Sequence, residues 1–126
     1  MDLADEVYRF SWLSSFDGDL MVKVTRTAAG CTAQVERQWF VPPYATERTL
    51  SPSEWLHIEA AISVAAFWSL PGDASMIGFD GADWSFEGRK ADVFHSVRRW
   101  SPTDPALTAL GKVFAEYAGF PDLNLY

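Results

Sequence analysis

The chain has 126 residues, 48% of them apolar and 15% aromatic, with one cysteine and a net charge of −7 from 17 acids and 10 bases. That length and apolar content suit a single domain spanning residues 1–126 and exclude a disordered chain. The lone Cys31 excludes an intrachain disulfide and a cysteine-based zinc site. The negative balance disfavours nucleic acid and anionic membranes as partners; it either favours a basic protein partner or simply keeps the domain soluble.

In chain order, residues 1–6 (MDLADE) are acidic and carry no basic flank before an apolar run, so a signal peptide is not expected. The longest apolar stretch, residues 60–70, is broken by Ser63 and Ser69 and is too short to span a bilayer, which makes the cytoplasm the expected location. Residues 8–16 (YRFSWLSSF) read as an aromatic strand, closed by the turn dipeptide Asp17-Gly18. Residues 20–27 alternate: Leu20, Val22 and Val24 fall on one side, Met21, Lys23 and Thr25 on the other, the period of a half-buried strand. After Ala28-Ala29-Gly30, residues 32–40 read as a third strand, completing an antiparallel meander. Residues 41–50, with Pro42-Pro43, read as a loop.

Ser51-Pro52-Ser53-Glu54 then matches a capping box, in which a serine hydroxyl and a glutamate carboxylate each satisfy an amide at the start of a helix. Proline at the first helical position costs nothing there. This helix is expected to run to about Trp68 and to stop at Pro71-Gly72. Residues 72–81 are turn-rich. Residues 84–87 and 93–100 are expected to form a hairpin around Gly88-Arg89-Lys90, pairing Phe86 with Val93 and Trp84 with His95. A last helix opens on Thr103 or Asp104 with Pro105 as its first residue, buries Leu107, Leu110, Val113, Phe114 and Tyr117, and ends at Gly119. The order is βββ-α-ββ-α: an α+β domain with an antiparallel sheet of about five strands, two helices packed on one face, and the other face solvated or open to a partner.

Chemistry-bearing residues are sparse. Cys31 has no basic neighbour in sequence to lower its pKa and reads as a small buried hydrophobe. His57 and His95 are too few for a zinc site, which takes three or four convergent ligands. Asp80, Asp83 and Glu87 cluster near the hairpin, but Asp80-Gly81 is also an ordinary turn signal. Arg98 and Arg99, as strand neighbours, point to opposite faces, and one of them is expected to pair with Glu87 or Asp83. No catalytic set, metal site or cofactor is expected. The candidate binding residues are Asp80, Asp83, Trp84, Glu87, His95, Arg99 and Trp100.

Residues 78–102 (GFDGADWSFEGRKADVFHSVRRWSP), with 67–71 (FWSLP), resemble a group of small bacterial proteins of uncharacterised function. These share a Gly-x-Asp-Gly-x-x-Trp-x-x-Glu-Gly stretch, an aromatic-His pair and Arg-Trp-Ser-Pro, matched here by Gly78, Asp80, Gly81, Trp84, Glu87, Gly88, Phe94, His95, Arg99, Trp100, Ser101 and Pro102. The resemblance covers about a fifth of the chain, and implies a bacterial origin but no reaction. The motif has a physical reading of its own. Glu87 paired with Arg99, and His95 laid against Trp84, would make a polar–aromatic patch that is either a folding nucleus or a binding site. The expected function is a non-enzymatic protein-binding module, an immunity or antitoxin-like protein masking the surface of a basic toxin. The alternatives are a small-molecule site or enzyme on the last hairpin, and a structural subunit of a bacterial assembly.

Overall fold

The computed structural model describes residues 6–38, 44–72 and 80–126. Trp39, Pro42-Pro43 and Gly78-Phe79 lie outside them, as do the first five residues. Among the described residues are six strands and two α-helices: β1 Glu6–Ser14, β2 Asp19–Thr27, β3 Gly30–Arg37, β4 Tyr44–Leu50, α1 Pro52–Val64, β5 Ala82–Lys90, β6 Val93–Trp100 and α2 Pro105–Tyr117. The strands form one antiparallel sheet in the order β4-β3-β2-β1-β5-β6, a four-strand meander with the last hairpin added on the far side of β1.

The expected meander, capping box and last hairpin are therefore present, but the sheet has six strands rather than about five. The additional strand is β4, in the segment read as a loop. It is an edge strand whose residues are exposed up to Leu50, so it lacks the apolar alternation of a half-buried strand. Its Glu47 and Arg48 are the kind of charged residue that blunts an open edge.

One face of the sheet carries the core. Tyr8, Phe10 and Trp12 of β1 lie beside Leu20, Val22 and Val24 of β2 and Trp84 and Phe86 of β5, all buried. Phe10 stacks on Phe86 with ring centroids 4.8 Å apart and meets Phe114 of α2 at 5.8 Å. Tyr8 meets Trp55 of α1 at 6.0 Å. Both helices thus cover the same face.

At the start of α1, the Glu54 amide donates to Ser51 Oγ (3.1 Å) and the Ser51 amide donates to Glu54 Oε1 (2.8 Å). The second bond, from the Ser51 amide, is the main cause that holds the Glu54 carboxyl below its ordinary pKa, with Arg48 nearby adding to it. The helix ends earlier than expected. Ala66 takes a left-handed φ of 53°, and Phe67–Ser69 form a short 3-10 turn. This break swings Phe67 and Trp68 onto Tyr8, at 6.3 and 6.2 Å. A continuous helix would carry these rings past that contact.

The β5–β6 turn is also displaced. Lys90 pairs with Val93, so the chain reverses at Ala91-Asp92, and Phe86 faces Val97 while Trp84 faces Arg99. Gly88 is not a turn residue but an interior strand position. A Cβ there would stand 2.7 Å from the Phe67 ring and 2.9 Å from Tyr8. Helix α2 starts on Asp104, whose carboxylate accepts from the Ala106 and Leu107 amides. It ends as expected, with Gly119 at φ 91° and the Phe120 amide returning to the Ala115 carbonyl.

Two substitutions test this architecture in opposite senses. In an ordinary helix interior, Gly→Ala stabilises by about 1 kcal/mol. At Gly111 a Cβ would overlap the buried Trp84 ring, so Gly111→Ala is expected to destabilise instead, by about 1–3 kcal/mol. Ser51→Ala is expected to cost about 1 kcal/mol through loss of the cap. Chemical denaturation with matched m-values reads both.

Candidate functional site

The hairpin residues separate onto two sides of the sheet. Strand partners share a face, so Trp84, His95 and Arg99 belong to the helix-covered face, and Asp83, Glu87, Arg98 and Trp100 to the opposite one. Trp84 is buried, and its indole N–H donates to the Tyr126 backbone oxygen at 2.7 Å. His95 packs on Phe67 and Trp68 at 5.2 and 6.2 Å, with Nε2 2.9 Å from the Leu70 carbonyl oxygen. It does not lie against Trp84. Arg99 donates to the Pro71 carbonyl at 2.7 Å and forms no salt bridge with Glu87. The ion pair across the hairpin is Arg98–Asp83, with Arg98 Nε 2.9 Å from Oδ1. Asp80 is exposed beside the turn. A single pocket built from Asp80, Glu87, His95 and Arg99 is therefore not formed, because the pleat sends Glu87 one way and the other two strand residues the opposite way.

Several other polar residues on the helix side of the sheet have structural partners. Glu6 is buried, accepts from the Tyr8 hydroxyl at 2.7 Å and pairs with Arg26. Arg37 donates to the Asp17 carbonyl at 2.7 Å and lies over the Phe120 ring at 5.0 Å. His57 Nδ1 is 2.7 Å from the Tyr117 hydroxyl. Burial pushes the Cys31 thiol up from its ordinary value, away from a reactive thiolate.

The face opposite the helices has no element across it among the described residues. Its side chains run in rows across the strands. The central row, from β4 to β6, is Glu47, Gln34, Lys23, Arg9, Glu87 and Ser96. One flanking row ends in Val7, Arg89 and Phe94. The other holds Glu36, Met21, Ser11, Ser85 and Arg98, and beyond it Asp19, Leu13, Asp83 and Trp100 close the face. Two open grooves of about 600 Å³ and 260 Å³ lie on this surface, and Arg9 and Lys23 line both. Phe94 is 61% exposed and Leu13 42%.

Of the candidate residues, Asp83, Glu87 and Trp100 lie on this face. Arg9, Lys23, Met21 and Leu13, which complete it, were not singled out from sequence. The outward set of β2 was legible in its alternation. What the alternation does not contain is the register that puts Arg9 beside Lys23.

No family model, curated protein or solved structure matches the chain. Among the described residues, no helix is long and apolar enough to cross a membrane.

Burial, reinforced by the bond to Glu6 and by its negative charge, raises the Tyr8 phenol far above its ordinary pKa of 10.0. A raised folded-state pKa contributes stability that is complete below the unfolded value and is lost as pH rises beyond it. The domain is therefore expected to lose stability steeply above pH 10, and Tyr8→Phe to flatten that alkaline slope while lowering stability near neutrality. Urea melts across the alkaline range compare the two slopes.

Proposed function

We propose that this chain is a non-enzymatic protein-binding module, of the bacterial immunity or antitoxin kind, that uses the uncovered face of its sheet to mask a basic partner surface. The observation that carries this reading is the make-up of that face. Exposed Phe94 and Leu13, with the half-buried Trp100 and Met21, stand among the carboxylates of Asp19, Glu36, Glu47, Asp83 and Glu87. Apolar anchors set in a charged surround are the pattern of energetic hot spots in interfaces.

Size and charge agree with it. Six strands spaced by about 4.8 Å, each about eight residues long at about 3.3 Å per residue, give a face of roughly 750 Å² in plan, comparable to the ~800 Å² that each partner contributes to a standard interface. The net charge of −7 steers a basic partner toward the domain and speeds encounter. The chemistry on the helix-covered side supports the same reading, since His57, His95, Arg37 and Arg99 are each engaged in internal contacts.

Affinity capture from a bacterial lysate, followed by binding with the purified partner, tests the reading. The expected outcome is a basic protein bound with an association rate that falls as salt rises. Phe94→Ala is expected to cost about 1–2 kcal/mol of affinity. Leu56→Asp and Val64→Asp, on the solvent side of α1 where these residues are 61% and 75% exposed, are expected to leave binding unchanged. Binding lost in the α1 variants and kept in Phe94→Ala moves the interface to the helices and overturns the assignment to the sheet face.

A further inference from the structure

At the middle of the uncovered face, Arg9 of β1 and Lys23 of β2 stand directly opposite each other in the register. Like charges so placed destabilise a sheet, and neither side chain has an ion pair or hydrogen bond among the described residues. The nearest carboxylates are held elsewhere or miss. Glu47 accepts from Gln34 Nε2 at 3.1 Å, which occupies the neighbour of Lys23 on β3. Glu87 stands opposite Arg9 on β5 but forms no ion pair with it. Arg9 and Lys23 thus stand side by side with no direct ion pair among the described residues, on a face whose balance elsewhere is acidic. Both line the two grooves.

We infer that Arg9 and Lys23 form a carboxylate-binding site that receives an Asp or Glu side chain of the protein partner; this rests on the protein-binding reading above and names its central contact. The chemistry fits a carboxylate. The planar guanidinium offers two parallel N–H donors to its two oxygens, and the ammonium adds a third donor from the side. The same donors also suit a phosphate, so inorganic phosphate is the ligand that distinguishes a carboxylate site from a general anion site. The partner surface complementary to this face is a single acid ringed by bases: the acid meets Arg9 and Lys23, and the bases meet Glu36, Glu47, Glu87 and Asp19. Such a centre also supplies register, since a partner offering only bases would leave two like charges desolvated at the middle of the contact. Glu87 then acts as an internal competitor that keeps the site weak toward free anions.

The test is a titration of the full chain with a tri-glutamate peptide at low ionic strength, followed by amide chemical shifts. Inorganic phosphate and a tri-lysine peptide serve as comparisons. Tri-glutamate is expected to give saturable shifts centred on residues 9 and 23, with phosphate weaker and tri-lysine silent at those positions. Lys23→Gln is expected to weaken the peptide about fivefold and Glu87→Gln to tighten it about threefold. Lys23→Gln is also expected to raise the Tm of the free protein by about 2 °C through relief of the like-charge pair, which shows that the variant folds. Unchanged tri-glutamate binding in Lys23→Gln, shifts without saturation, or phosphate binding tighter than the peptide overturns the site. A captured protein partner that binds Lys23→Gln as tightly as wild type overturns it too, and leaves the protein-binding reading standing. Tri-glutamate binding at Arg9 and Lys23 with no protein captured does the reverse: the carboxylate site stands and the protein-binding reading falls.

Discussion

Burial of the aromatic row on β1 is the constraint on which the rest of the structure depends. Tyr8, Phe10 and Trp12 occupy one face of the strand at the middle of the sheet, at 4%, 0% and 0% exposure. Each large ring removed from water contributes a few kcal/mol, about 1.5–3 for a phenylalanine. Burying three of them on one strand requires neighbours on both sides and a cover above. The neighbours are β2 and β5, and the cover is α1 over Tyr8 and α2 over Phe10. This makes β1 the strand that joins the meander to the last hairpin, and it fixes which face of the sheet the helices take.

The same row sets the polar arrangements around it. Buried indoles need acceptors. The Trp12 and Trp84 N–H groups both donate to the Tyr126 backbone oxygen, at 3.2 and 2.7 Å, and the Tyr126 ring packs on Trp12 at 5.3 Å. The tail therefore belongs to the core rather than hanging from it. At the other end of the row the Tyr8 hydroxyl is satisfied by Glu6, whose carboxylate is in turn paired with Arg26. Glycine serves the aromatics as well: Gly88 and Gly111 are flat spots against Tyr8, Phe67 and Trp84, where a methyl group would displace a ring.

With the helices committed to one face, the opposite face is left to other purposes. Its apolar content, Phe94, Leu13, Met21 and Trp100, is spread between charges rather than gathered into a second core. Arg9 and Lys23 are like charges directly opposite each other, an arrangement that costs the sheet stability. A local arrangement that weakens the fold without serving it is where function is to be sought. The motif near the hairpin divides along the same line: Trp84 joins the core and His95 and Arg99 anchor the connection at Leu70-Pro71, whereas Asp83, Glu87 and Trp100 contribute to the open face.

The sequence by itself determined the α+β class, the three-strand meander, both helix starts and the stop of the last helix, because each rests on interactions within a few residues: period-two burial, an N-cap hydroxyl or carboxylate, a glycine free to turn left-handed. It also placed Arg98 and Arg99 on opposite faces, from the pleat alone. Only the tertiary structure decided the rest. β4 is a strand because β3 offers it an edge to pair with, not because its own pattern demands one. α1 stops at Val64 because Phe67 and Trp68 are needed on Tyr8. The hairpin turns at Ala91-Asp92 because Gly88 is required beneath two rings. Arg9 meets Lys23 because β1 and β2 pair in one register, a relation between residues fourteen apart in the chain that no local spacing encodes.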